Sequence, residues 1–142
     1  MKSNRILIDT GPLVAFLNKR DQFHEWSLKQ LANLPPPLYT CEAVLSEAWF
    51  MLQGRPNGAA NLMSLLQREL IVISFALRDE IDTINKLLKR YQNIPMSLAD
   101  ACLVRMSELF SESIVLTFDS DFTIYRKNSR RVIPTITPDV ST

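Results

Sequence analysis

The sequence predicts an α/β fold with a mainly parallel sheet of four or five strands. Short aliphatic segments such as RILID, IVISF and SIVLTF are typical of buried strands. Longer segments with helical periodicity lie between them, and this alternation favours a parallel sheet. A chain of 142 residues, 46% hydrophobic and 22% charged, can form a core of its own. We therefore expect a single domain over residues 1–142.

The first half of the chain is predicted to contain two strands and four helices. RILID forms the first strand, and Pro12 suits the first turn of the helix that contains LVAFLN. Asp21 is the predicted N-cap of the next helix, DQFHEWSLKQLANL, which stops at the prolines 35–37. LYT is the second strand. The helix CEAVLSEAWFMLQ ends at Gly54, and RPNG turns the chain into AANLMSLLQREL, so these two helices form a hairpin.

The second half continues the alternation. IVISF is the third strand, and RDEIDTINKLLKRYQ is an amphipathic helix. SLADACLVRMSELF is a further helix with Ser97 as its N-cap, and SIVLTF is the fourth strand. RVIPTITP is a candidate last strand, and its proline favours the edge of the sheet.

Two aspartates follow predicted strands directly. Asp9 ends the first strand, within the aliphatic run ILIDTGPLVAFL, and Asp119 follows the fourth strand. Either one alone is readily explained as a helix N-cap or a turn residue. Two strands that deliver an acid to the carboxyl edge of one sheet favour a binding site, because ligands of open α/β sheets bind there.

Two helices supply further acidic candidates. Glu47 has apolar residues at its i±3 and i±4 positions, which predicts that it lies on a buried stripe. Glu42, one turn earlier, better serves the positive end of the helix dipole. Asp100 occupies the third helical position after Ser97, so a capping box explains it, but helix N-termini also face the carboxyl edge of a parallel sheet.

Four acids at one edge repel each other unless a cation neutralises them. Oxygen ligands suit Mg²⁺ or Mn²⁺, whereas one histidine and no paired cysteines argue against zinc. A carboxylate-bound cation of this kind activates water and stabilises charge on a phosphoryl group, so the chemistry indicated is phosphodiester hydrolysis.

These segments also resemble a known family. ILIDTGPLVAFLNKRD, CEAVLSEAWFML, MSLADACLV and VLTFDSDF stand in the order and approximate spacing of the motifs of PIN-domain ribonucleases. They are most similar to the VapC toxins of bacterial VapBC toxin–antitoxin pairs, and the resemblance runs from about Arg5 to Pro134. It implies a three-layer α/β/α fold with a helical hairpin.

The resemblance also implies functional residues and partners. Its acidic catalytic and metal-binding site corresponds to Asp9, Glu47, Asp100 and Asp119, supported by Thr10, Thr117 and Asp121. It implies a Mg²⁺- or Mn²⁺-dependent ribonuclease that leaves a 3′-hydroxyl and a 5′-phosphate. It further implies a homodimer and a cognate antitoxin that inserts near the site.

The charge distribution bears on the partners. A net charge of +1 gives no global field toward nucleic acid or membrane, so RNA contact requires a local patch. The candidate patch is the basic cluster that follows the last acidic motif: Arg126, Lys127, Arg130 and Arg131. Lys19 and Arg20 could extend it. No apolar stretch approaches a bilayer span and no signal peptide is evident, so we expect a cytoplasmic protein that contacts no membrane, with Cys41 and Cys102 as reduced core residues.

Three other functions fit parts of the pattern. One is an RNA-processing PIN nuclease with no toxin role, which has the same core motifs. Another is a non-catalytic α/β module that holds a structural cation or a basic partner with the same acids. A phosphatase similar to the haloacid dehalogenases, with Asp9 as nucleophile, is weaker because Gly11 stands where the second aspartate is needed.

Overall fold

A computed structural model describes residues 4–138 of the chain. Its centre is a five-stranded sheet in which every neighbouring pair of strands is parallel. The strands, in the spatial order of the sheet, are β3 (Ile71–Ile73), β2 (Leu38–Thr40), β1 (Arg5–Ile8), β4 (Ser113–Leu116) and β7 (Thr135–Ile136). The prediction of a mainly parallel sheet in a three-layer α/β/α fold is confirmed, and β7 is the edge strand that the segment with Pro134 predicted.

The helices lie where the periodicity predicts them. They are α1 (Thr10–Leu17), α2 (His24–Asn33), α3 (Glu42–Leu52), α4 (Gly58–Gln67), α5 (Ile81–Arg90) and α6 (Leu98–Leu109). Helices α3 and α4 pack on each other as the predicted hairpin. Gly54 has a φ of +81°, a left-handed conformation that glycine adopts without strain, so it ends α3 as expected.

Two local predictions were wrong. Asp21 does not cap α2, because its carboxylate accepts a hydrogen bond from the backbone N–H of Phe23 and forms a turn before the helix begins at His24. The segment after β3 begins with a 3-10 turn, Leu77–Glu80, and becomes α-helical only at Ile81.

A small antiparallel hairpin was not predicted. It pairs β5 (Arg126–Lys127) with β6 (Arg131–Val132) through a turn in which Asn128 and Ser129 have positive φ. The backbone N–H of Asn128 donates to the carboxylate of Glu108, near the end of α6. The hairpin is therefore attached to the C-terminal part of α6.

The strand order places the central junction of the sheet between β1 and β4. From β1 the chain proceeds through β2 to β3 on one side, whereas β4 and β7 lie on the other. In open α/β sheets the crevice where the order reverses, at the carboxyl ends of the strands, is the usual ligand site. Asp9 follows β1 and Asp119 lies three residues after the end of β4, so the two acids flank this crevice.

Candidate active site

Asp9 stands at the start of α1 and is buried, with 7% of its surface exposed. Its backbone N–H donates to the carbonyl of Leu116 at 3.0 Å, which ties it to the end of β4. One carboxylate oxygen accepts from the N–H of Thr10 at 2.7 Å, and the other accepts from the Thr117 hydroxyl at 2.7 Å. Burial raises the pKa of Asp9 from 3.8 to about 6, although both hydrogen bonds act in the opposite direction.

Thr117 links two of the acids. Its hydroxyl donates to Asp9 and accepts from the backbone N–H of Asp119 at 2.9 Å. Asp119 in turn accepts from the N–H of Asp121 at 2.9 Å and so caps the short 3-10 helix Ser120–Thr123. One buried hydroxyl therefore fixes the relative positions of the acids that follow β1 and β4.

Glu47 joins the site through Thr10, whose hydroxyl donates to its carboxylate at 2.9 Å. The expectation that Glu47 lies on a buried stripe was wrong, because its side chain is exposed. The buried stripe of α3 consists of Val44, Ala48 and Leu52. The apolar residues Phe50 and Met51, on which the expectation depended, are themselves 74% and 53% exposed.

Asp100 has both roles that the sequence left open. It forms a complete capping box with Ser97, at 3.0 and 3.3 Å, and it also lines the pocket that contains Asp9. The buried hydroxyl of Tyr125 donates to the same carboxylate at 3.0 Å. Burial, followed by the nearby charge of Asp119, raises the pKa of Asp100. Tyr125 was not predicted as a site residue, because nothing in the segment DFTIYR marks it as a partner of Asp100.

The four acids line one open cavity of about 450 Å³ at the carboxyl edge of the sheet. Its lining residues are Asp9, Thr10, Gly11, Glu47, Met51, Pro95, Ser97, Asp100, Phe118 and Asp119. None of them is basic, so no lining side chain neutralises the carboxylates. The cavity also depends on close packing, because a Cβ on Gly11 would lie 2.8 Å from the ring of Phe118.

The donor chemistry of this cavity fits a hard divalent cation. Asp9 uses both carboxylate oxygens in hydrogen bonds, whereas Glu47, Asp100 and Asp119 each keep one oxygen that receives none from residues 4–138. Within those residues, no three Asp, Glu, His or Cys side chains are drawn together as a metal-binding cluster. The carboxylates thus share a cavity, and their role as metal ligands stays a prediction.

Other predicted residues lie apart from the cavity. Glu42 is exposed in the first turn of α3, as expected for a residue that serves the helix dipole. Asp121 contributes its backbone N–H to Asp119, and its side chain does not line the cavity.

The basic cluster does not form the continuous patch that was expected. Lys127 is buried, and its ammonium group donates to the carbonyl of Ser111, just beyond α6. The guanidinium group of Arg126 donates to three backbone carbonyls of residues 123–125. Arg130 and Arg131 are exposed, but the hairpin that carries them is attached near the end of α6 opposite to Asp100. Their contact with RNA stays a prediction.

Fold and cavity together define an α/β protein with an acidic site at the switch point of a parallel sheet. The family model of the PIN domain matches residues 6–128. Because this match covers most of the chain, the protein belongs to the PIN domain family, as the sequence motifs indicated.

The chain is also similar to proteins of known structure. No curated protein matches the sequence significantly. The crystal structure of Mycobacterium tuberculosis VapC20, described as a sarcin-ricin loop cleaving toxin, is similar with a TM-score of 0.75. The match has 22% sequence identity and covers 84% of this chain and 93% of that one, and it shows a shared fold. Among the helices of residues 4–138, none has the length and apolar character needed to cross a membrane.

Proposed function

We propose that this protein is a divalent-metal-dependent endoribonuclease and the toxin of a type II toxin–antitoxin pair. The observation that carries the proposal is the shared cavity of Asp9, Glu47, Asp100 and Asp119, which come from four separate segments of the chain. Membership of the PIN domain family and the fold shared with VapC20 support the same conclusion.

Asp9, Asp100 and Asp119 would hold Mg²⁺ or Mn²⁺, with Glu47 beside them in the same cavity; the cation would supply a Lewis acid for the phosphoryl oxygens and favour a water nucleophile. Thr117 keeps Asp9 and Asp119 in a fixed relation, and Tyr125 with Ser97 holds Asp100. These contacts orient the carboxylates before substrate binds, so little reorganisation is needed during the reaction.

We assign the acceptor of the water proton to Glu47. It is exposed at the mouth of the cavity, and only one of its oxygens is bound, by Thr10. Attack of water forms a phosphorus–oxygen bond and breaks the bond to the 3′ oxygen of the ribose. That oxygen takes a proton from solvent water and leaves as a 3′-hydroxyl, and the other fragment carries a 5′-phosphate.

The toxin assignment carries two partner proposals, a homodimer and a cognate antitoxin. Trp49, Phe50 and Met51 are exposed apolar side chains of α3, and Met51 also lines the acidic cavity, so this helix offers a surface for a protein partner. An RNA-processing nuclease is the second candidate, because it would require the same cavity and no antitoxin.

The central test is incubation of the purified chain, free of any antitoxin, with total RNA. We expect cleavage with Mg²⁺ or Mn²⁺, no cleavage in EDTA, and 5′-phosphate ends at the mapped cuts. Asp9→Asn, purified in the same way, is the control for a contaminating nuclease. Intact RNA under all metal conditions would favour the non-catalytic binding module.

The toxin role is tested separately from the cleavage. We expect growth arrest when the chain is expressed alone. We also expect a small reading frame beside its gene to encode the antitoxin, and its co-expression to relieve the arrest. Cleavage of RNA without growth arrest would favour the processing nuclease.

A further inference from the structure

The molecule has a second cavity, of about 520 Å³, whose charge is opposite to that of the acidic cavity. It lies between the end of α1 and the turn that joins α3 to α4. Three cations line it, Lys19, Arg20 and Arg55, together with the amide side chains of Asn18, Asn57 and Asn61. No acidic residue is among its lining residues.

The three cations are available to a ligand. They are exposed, and both ion pairs found within residues 4–138 belong to Arg105 instead. The nearest acid in sequence, Asp21, does not line the cavity, and its carboxylate accepts the N–H of Phe23. Unpaired cations grouped with amide donors are the side chains that contact phosphate groups in nucleic-acid complexes.

The two cavities lie along the same pair of packed helices, α1 and α3. On α3, Glu47 and Met51 line the acidic cavity, and Arg55, in the turn that follows the end of α3 at Leu52, lines the basic one. On α1, Gly11 and Asn18 have the corresponding positions. Seven residues of helix span about 10 Å, which equals roughly three steps of a stacked nucleic-acid strand at about 3.4 Å per step.

We propose that the basic cavity binds the phosphate backbone of the RNA strand about three nucleotides from the bond that is cleaved. This inference rests on the proposed ribonuclease function, which it extends by a second contact on the same strand. RNA is favoured over an acidic protein segment because a single strand that follows α1 and α3 reaches both cavities. Exposed Met51, between them, provides an apolar surface for a base or ribose.

The test is binding of a labelled, mixed-sequence single-stranded RNA in EDTA, where cleavage is not expected. Lys19→Ala with Arg55→Ala removes two cavity cations. Lys29→Ala with Arg68→Ala is the matched control, because these exposed residues carry the same charge and line neither cavity. Arg68 is a close control for Arg55, because the two arginines lie just outside opposite ends of the same helix, α4.

We expect the cavity variant to bind roughly tenfold more weakly near 50 mM salt, with its logarithmic salt slope flattened by about 1.4, that is, about 0.7 for each lost contact on a single strand. The control should stay within about twofold of the wild type, since an exposed charge outside the contact affects binding only weakly.

Four outcomes overturn the inference. Equal losses in the cavity and control variants would mean that overall charge drives binding. An unchanged affinity for RNA, combined with lost binding of a poly-glutamate peptide, would mean that the cavity serves an acidic protein. If the wild type binds and cleaves RNA but the cavity variant binds RNA equally well, the inference fails and the proposed function stands. If the wild type neither binds nor cleaves RNA, both the inference and the proposed function fail.

Discussion

Asp9 carries an electrostatic cost that the fold does not fully offset. Two hydrogen bonds stabilise its charged form, yet burial is the larger effect and its pKa rises from 3.8 to about 6. At about 1.4 kcal/mol per pH unit, this shift corresponds to roughly 3 kcal/mol of lost stability above pH 6. A cost of this size at a strand end is expected where function, rather than folding, selects the residue.

The first prediction is that Asp9→Asn stabilises the protein in EDTA. The side-chain oxygen of Asn can still accept the hydrogen bond from the N–H of Thr10. Its NH₂ group can donate to the oxygen of Thr117, provided that the Thr117 hydroxyl hydrogen rotates away. At about pH 7 we expect a gain on the order of 1–3 kcal/mol in the free energy of unfolding, measured by chemical denaturation.

Measuring the stability of wild type and Asp9→Asn at several pH values provides the control for this prediction. The folded state has the higher pKa, so between pH 3.8 and about 6 it retains a proton that the unfolded chain releases. The contribution of Asp9 to wild-type stability therefore falls as pH rises through this window, and the advantage of Asp9→Asn should vanish below about pH 4. A variant less stable than wild type at pH 7 would mean that Asp9 is kept for the fold.

The second prediction separates the two glutamates of α3. Glu47→Gln should lower the cleavage rate by about a hundredfold or more, because Glu47 lines the cavity and bonds Thr10. Glu42→Gln should cleave at close to the wild-type rate, since Glu42 is exposed and acts on the helix dipole. Single-turnover cleavage of one RNA measures both. A dead Glu42→Gln beside an active Glu47→Gln would reverse the assignment.

At this scale the sequence predicted residues better than it predicted their surroundings. Asp9 and Asp119 were found because each follows a strand, and parallel strands bring their carboxyl ends to one edge. Glu47 was found on a pattern that proved misleading, because an apolar neighbourhood on a helix can form an exposed face instead of the core. Lys127 was placed on the surface because sequence order does not reveal that β5 packs against α6.

Among the elements, α6 combines a structural and a functional requirement at its first turn. Asp100 completes the capping box of Ser97 and also lines the acidic cavity. Both interpretations follow from the segment SLAD alone, and the structure shows that they do not exclude each other.

The third prediction uses this overlap. Asp100→Asn retains acceptors for Ser97 and Tyr125 and should stay within about 1 kcal/mol of wild-type stability, yet lose cleavage by about a hundredfold or more. Ser97→Ala removes the cap and should cost about 1 kcal/mol, with a much smaller loss of cleavage well below the melting temperature. Thermal melts and cleavage rates of both variants check this. Equal losses of cleavage would assign Asp100 to the helix alone.

The fourth prediction concerns the junction between β1 and α1. Replacing an exposed glycine within a helix by alanine usually raises the stability of the protein by about 0.5–1 kcal/mol. Gly11→Ala should instead lower the free energy of unfolding by about 1–3 kcal/mol, because the new Cβ would lie 2.8 Å from the ring of Phe118. That ring packs against Phe23 and Trp26, which restrict its movement. Cleavage should fall too, since Phe118 directly precedes Asp119.

Urea denaturation and cleavage rates measure these effects, and Phe118→Leu supplies the control. In the double variant with Gly11→Ala, the smaller side chain should recover part of both losses. Stabilisation by Gly11→Ala alone would show that the contact with Phe118 is not restrictive.

Long periodic helices and short aliphatic strands were predicted well, whereas the hairpin of β5 and β6 was missed. Its sequence, RKNSRRV, lacks the alternation of apolar and polar residues that marks a half-buried strand. Asn128 has a positive φ in this turn, a conformation that asparagine tolerates, but no turn was predicted there. Contacts with α6 determine this hairpin, and such contacts are invisible in a local window of sequence.

For the whole molecule, sheet order determines where charge accumulates. The parallel strands end at one edge of the sheet, where four acidic residues line a cavity. The other end of the α1–α3 pair lies beside a cavity lined by three cations. The chain thus has two oppositely charged cavities, although its net charge is only +1. The composition alone predicted no attraction for RNA. The fold separates the charges into an acidic cavity suited to a cation and a basic cavity suited to the RNA backbone.

The last prediction tests the acidic cavity through the stability of the whole protein. A cation that binds only the folded state at about a hundred times its dissociation constant adds about 2.7 kcal/mol. For a chain of this length, that should raise the wild-type melting temperature by roughly 5–10 °C when Mg²⁺ or Mn²⁺ replaces EDTA. Asp9→Asn and Asp119→Asn should respond much less, because each removes a charge that attracts the cation. NaCl at equal ionic strength should have little effect on any of the three, since screening does not replace a bound ion. The same rise in wild type and both variants would place the bound cation elsewhere, and the acids of the cavity would then need another partner.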